Sequence, residues 1–171
     1  MGSEEEPFVV YEDVICASSK FFKAACSVRW VEGKEKKVSL PEVEPELFQS
    51  YVAWLYSGEY KLQAPKDDSE DAYYVYWDES INLYLLGDVL DDVRFRNKTM
   101  EAIVFGRPKY LPAANLMCTL WERTPSTSIV RKMFVETAIM RLDRDDFAHD
   151  VKVHAYSAEF LEDFALASSE R

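Results

Sequence analysis

The side chains able to make or break bonds are few and scattered. Three cysteines (Cys16, Cys26, Cys118) and two histidines (His149, His154) are all the chain holds of those types. A thiol becomes a nucleophile when a neighbouring base takes its proton. One of these cysteines beside His149 or His154 is therefore the pairing to weigh. Isolated cysteines mostly behave as small buried hydrophobes, and packed thiols with surface histidines are the reading the sequence favours. His149 and His154 lie five residues apart, a spacing that does not align them on one helical face for a metal. No CxxC motif or Cys/His cluster occurs, so neither a zinc site nor a disulfide framework is expected. Asp145, Asp146 and Asp150 read as a solvated turn. Glycine stands only at positions 2, 33, 58, 87 and 106, too sparsely for a phosphate-cradling loop, and G-x-S-x-G is absent. The sequence predicts no catalytic residue, no cofactor and no metal.

The segment 63–79 carries recognition chemistry instead. Six carboxylates (Asp67, Asp68, Glu70, Asp71, Asp78, Glu79) surround four aromatics, Tyr73, Tyr74, Tyr76 and Trp77. Aromatics give contact area at low entropic cost and carboxylates steer cations, so these four suit a basic, apolar partner. The competing reading is a solubilising insertion with its aromatics tucked against the fold. On either reading the periodicity breaks, and a long surface loop is expected. Ser69 among the acids is a phosphosite candidate or simply a solvated loop serine.

The formal charge is −11, from 20 basic and 31 acidic residues. That field repels nucleic acid, whose affinity rests on Lys and Arg neutralising phosphates, and it disfavours anionic lipid. No apolar run reaches the length of a membrane span. Reduced thiols point to the cytoplasm or nucleus. With 171 residues and 48% hydrophobic composition, one domain with a helical extension can build a core without metals or disulfides.

The elements that must position these residues follow from spacing. Phe8-Val9-Val10-Tyr11 is β-prone, and Val14-Ile15-Cys16-Ala17 makes a helical turn. Ser18 or Ser19 can cap a second helix that puts Phe21, Phe22 and Ala25 on one face. Val28-Arg29-Trp30-Val31 and Lys36-Lys37-Val38-Ser39-Leu40 flank Glu32-Gly33, a hairpin signal. Pro45 opens a helix with Leu47, Phe48, Tyr51, Val52 and Leu55 at helical spacing, stopped by Gly58. Ser80 can cap a helix that is apolar nearly all round to Leu90, and Asp91 or Asp92 can cap the next. Further helices follow Pro112 and Thr124-Pro125-Ser126, and Ser157 caps a last one. Short strands followed by helix upon helix predict an α+β fold.

Four segments resemble the BTB/POZ family. Tyr11 to Phe22 is similar to its "f-x-v-H-k-x-x-L-x-x-x-S-x-y-F", and Val38 to Phe48 to its "i-x-L-x-e-v-x-p-e-x-F". Leu55-Tyr56-Ser57-Gly58-Glu59-Tyr60 looks like "i-Y-t-G-x-y", and Leu83-Tyr84-Leu85-Leu86-Gly87-Asp88 like "l-y-x-l-A-d". Segments after 107, such as Trp121-Glu122-Arg123-Thr124-Pro125, look like the helical extension of fungal members. The resemblance implies a short mixed sheet flanked by helical hairpins over 8–106, an acidic segment at 1–7 and a helical C-terminal extension at 107–171. It implies a non-catalytic protein–protein interaction module that dimerises or recruits partners, with a substrate-recruiting adaptor of a cullin-type ubiquitin ligase as the alternative. Its partners would be itself, other BTB-like domains or a cullin scaffold. Phe21, Phe22, Ala25 and Phe48 would lie near a partner-binding face. Three departures bear on this. The family's first strand has no counterpart before Pro7, which argues against the usual dimer. Tyr11 replaces a His. Ser50 stands where cullin-binding members carry Glu.

Overall fold

Pro45 opens the clearest helix because its missing N–H falls among first-turn donors that lack an intrahelical acceptor. In the computed structural model that helix runs Pro45–Ser57, and Gly58 ends it in the left-handed region at φ 68°, where a Cβ would be strained. The structure describes residues 7–27, 37–59, 62, 65–106, 110–141 and 155–169. Within them lie α1 (Glu12–Ser18), α2 (Lys20–Ala25), α3 (Pro45–Ser57), α4 (Glu70–Val89), α5 (Val93–Gly106), α6 (Ala114–Arg123), α7 (Ile129–Arg141) and α8 (Ala158–Ser169).

The α+β expectation is overturned. Among the described residues there is no strand and no sheet. Residues 8–10 and 38–40 belong to no helix or strand, and Phe8, Val10, Val38 and Leu40 are half-buried against the helices. Their β-like alternation is therefore met by packing rather than by a ladder. The predicted hairpin at Glu32-Gly33 lies outside the described residues. The long loop at 63–79 is corrected as well, because α4 starts at Glu70. Ser69 caps it, its Oγ accepting from the Ala72 amide at 3.2 Å. Ser80, expected to begin a helix, lies inside this one and donates its hydroxyl to the Tyr76 carbonyl at 2.6 Å.

The chain divides into two compact units: Met1–Ala64 with Asn82–Arg107, and Pro65–Ile81 with Pro108–Arg171. The core of the first holds Ile15, Phe22, Phe48, Tyr51, Trp54, Leu83, Leu86, Leu90 and Phe95. Its rings meet stacked, edge-on or tilted: Tyr51 stacks on Trp54 at 5.9 Å and meets Phe95 edge-on at 4.9 Å, and Phe22 lies tilted 6.1 Å from Phe48. Gly87 lets α4 meet α5 closely, since a Cβ there would come within 3.2 Å of the Arg96 backbone.

One buried polar node ties this unit together. The Asp92 carboxylate is fully buried and accepts from Ser18 Oγ at 2.6 Å, Tyr51 OH at 2.9 Å and the Phe95 amide at 3.0 Å. The last bond caps α5. Beside it, Ser19 Oγ accepts from the Phe22 amide at 3.1 Å, which caps α2, and donates to the Leu90 carbonyl at 2.5 Å. The Lys20 and Phe21 amides reach the Asp91 and Leu90 carbonyls at 3.4 Å each. Such a node is favourable because every partner is satisfied away from water.

In the second unit α8 packs on α6 and α7. Trp121 meets Phe160 at 5.0 Å, and Trp77 meets Phe134 at 5.3 Å. Arg131 is buried and fans over the end of α6. Its Nε donates to Thr124 Oγ1 at 3.1 Å, Nη1 to Glu159 at 2.8 Å, and Nη2 to the Trp121 and Thr124 carbonyls. The positive charge thus sits at the negative end of the helix dipole. Among the described residues no helix is long and apolar enough to cross a membrane.

Candidate functional site

The expected partner-binding residues separate into two groups. In the first unit, Phe22 and Phe48 are buried in the core, while Phe21 and Ala25 are half-buried. In the second, Tyr76 and Trp77 are buried, Tyr73 is half-buried and Tyr74 is exposed. The Trp77 indole donates to the Tyr110 carbonyl at 2.9 Å, and Tyr74 OH accepts from Asn115 Nδ2 at 2.9 Å. Half of the acid-flanked aromatics therefore build the second unit's core. His149, His154 and Trp30 lie outside the described residues.

Phe22 and Phe48 also form part of a groove in the first unit, about 1130 Å³ in volume. The N-terminal segment supplies Phe8 and Val10 to its wall. The turn of α1 supplies Ile15, and the segment entering α3 supplies Val38, Leu40 and Val43. Phe8 meets Phe48 edge-on at 5.2 Å. The wall is apolar because alternate residues of each segment are half-buried, which leaves Val9, Tyr11, Lys37 and Ser39 exposed. Glu12, Asp13, Glu42 and Glu44 stand exposed around it, with Lys37 the cation among the described lining residues. The Tyr11 amide donates to Tyr56 OH at 3.0 Å, and the Tyr11 carbonyl accepts from Val14 and Ile15 at 3.1 Å each, which fixes the corner into α1.

Val10, Val38, Leu40 and Val43 complete the wall without any sequence motif of a binding site; the first three belong to β-prone runs whose apolar residues pack on helices instead of joining a ladder.

Two other places offer less. A cleft of about 480 Å³ in the second unit is lined by Trp121, Thr124, Arg131, Glu159 and Asp163, and these groups bond to one another, Trp121 Nε1 donating to Asp163 at 2.9 Å. Cys16 has its thiol pushed up to about 11 by burial first, then by the Cys26 thiol and the Glu12 and Asp13 carboxylates. A thiol held protonated at neutral pH is a poor nucleophile. Among the described residues no group of three or more His, Cys, Asp or Glu side chains is placed to hold a metal. What the first unit offers is an acid-rimmed apolar groove. No family model, curated protein or solved structure matches the chain.

Proposed function

We propose that this chain is a non-catalytic protein-interaction module whose receptor face is the groove of the first unit. The observation that carries this is the groove's size and lining together. The groove is open and about 1130 Å³ in volume, and an apolar floor with an ionic rim matches the anatomy of protein interfaces. The chemistry of the wall supports binding: Phe8, Val10, Val38, Leu40 and Val43 have nothing to transfer or protonate.

Selection of a random dodecapeptide library on the purified chain tests the reading, with Val43→Glu as the blocked control. Val43 is half-buried at the groove, and an unchanged circular dichroism spectrum certifies the control's fold. Enriched peptides should lose binding at least tenfold on Val43→Glu, about the effect of placing a charge in an apolar contact. Peptides that bind both proteins alike, or no enrichment at all, would remove the groove from the function.

A further inference from the structure

The wall of the groove has a feature that a simple apolar cleft lacks. Among the described residues no backbone hydrogen bond joins Phe8, Val9 or Val10 to another residue, and burial alternates along the run, with Phe8 and Val10 half-buried against the core and Val9 97% exposed. Unpaired peptide groups in a β-branched run of that alternation are a template for another strand. The rim adds a second constraint. Four carboxylates, Glu12, Asp13, Glu42 and Glu44, face one ammonium, Lys37, among the described lining residues. A second copy of this chain, itself at −11, would be opposed by that field, and a cationic segment would be drawn in.

Resting on the reading of the groove as a receptor face, we infer that its occupant is an extended segment of another protein with alternating apolar and basic residues, added as a strand along residues 8–10. The apolar side chains enter the groove over Phe8, Val10, Val38 and Leu40, while the Lys or Arg side chains meet Glu12, Asp13, Glu42 and Glu44. Backbone pairing supplies affinity that tolerates sequence change, and the pocketed side chains set the register. Tyr11 ends the edge, because its amide and carbonyl are already bonded.

Synthetic peptides separate the components. The probe is a nine-residue peptide alternating Val or Phe with Lys, titrated by fluorescence anisotropy. A strand pairs through every second amide only, so N-methylation at one alternate set should weaken binding at least tenfold while methylation at the other set is tolerated. Replacing the lysines by Glu should weaken it at least tenfold at low salt, and Glu42→Lys/Glu44→Lys in the chain should reverse the preference. Val9→Pro, which removes one exposed amide without touching the core, should reproduce the loss seen with methylation, and the Val9 amide, but not the Val10 amide on the opposite edge, should gain protection from hydrogen exchange on binding. Equal binding of both methylated sets refutes strand addition, and equal binding of the Lys and Glu peptides refutes the basic partner; in either case the groove stays a receptor. No binding of any apolar peptide, with the dodecapeptide selection also empty, sinks the receptor reading itself. Light scattering that shows a dimer, lost on Val9→Pro, would put a second copy on this edge and overturn the inference.

Discussion

Replacing Asp92 by Ala should be among the most damaging single changes in the first unit. The carboxylate accepts from Ser18, Tyr51 and the Phe95 amide with no exposure to solvent. Each side-chain bond to a charged acceptor contributes about 1.5–3 kcal/mol, and the lost helix cap adds about 1 kcal/mol. Removing a desolvated charge offsets part of that sum, so the expected net cost is about 3–5 kcal/mol. Asp92→Asn keeps the shape and one acceptor and should cost less. The sharper readout is the coupling with Tyr51. In the native protein Tyr51→Phe strands part of the carboxylate's bonding and should cost about 1.5–3 kcal/mol. In the Asp92→Ala background the hydroxyl has lost that acceptor, so the same change should be near neutral. Urea unfolding of the four proteins, followed by circular dichroism, closes the cycle. A cost below about 1 kcal/mol for Asp92→Ala, or an equal Tyr51→Phe cost in both backgrounds, would refute the node as described.

Alkaline pH should find the same node. Burial, then the Asp92 carboxylate, raises the Tyr51 phenol above its ordinary value of 10.0, and burial also raises Tyr76. The unfolded chain releases these protons near pH 10 while the folded chain keeps them, so stability is full below that pH and falls above it. The slope is about 1.4 kcal/mol per pH unit for each phenol, and Tyr51→Phe should remove its share from an unfolding series between pH 9 and 11.5. Cys16, at about 11 against an ordinary 9.0, should be alkylated by iodoacetamide at pH 8 about 100-fold more slowly than N-acetylcysteine, the ratio of their thiolate fractions; peptide mapping by mass spectrometry measures it, and a matching rate would contradict the burial. Arg131→Met should cost about 3 kcal/mol by leaving the α6 carbonyls without their donor, and Arg131→Lys should recover little because an ammonium lacks the fork. Glu159→Gln, on the exposed end of the same contact, should stay within about 0.5 kcal/mol in thermal melts.

How far the fold could be read depended on whether a residue acts locally. Pro45 marks a helix start by its missing N–H, and Gly58, Ser19, Asp92 and Ser157 mark helix ends through bonds within three or four residues; each lies where spacing puts it, Ser157 Oγ accepting from the Phe160 amide at 3.2 Å, for example. The failures are non-local. A β-prone run becomes a strand only if a neighbour offers a ladder, and residues 8–10 and 38–40 settle against helices instead. At 70–79 the acids masked a helix whose signals were present. Ser69 caps it, Glu70 and Asp71 suit the first turn, and Tyr73, Tyr76, Trp77, Ser80 and Ile81 recur at helical spacing. The carboxylates give the segment the composition of a solvated loop, while Tyr76 and Trp77 on its other face build a core. The groove was invisible for the same reason as the absent sheet: its wall joins segments some 30 positions apart, a closeness that no local pattern records.

The bonds from Ser19, Lys20 and Phe21 to the carbonyls of Leu90 and Asp91 span about 71 positions, and that distance sets a timetable. A chain leaving the ribosome at about 5–20 residues per second waits roughly 4–14 s after making this corner before its acceptors exist. Through that interval Ile15 and Phe22 have no completed core to enter. A nascent chain stopped short of Asp92 would present them to chaperones, and one extended past it could hide them within a single closing step.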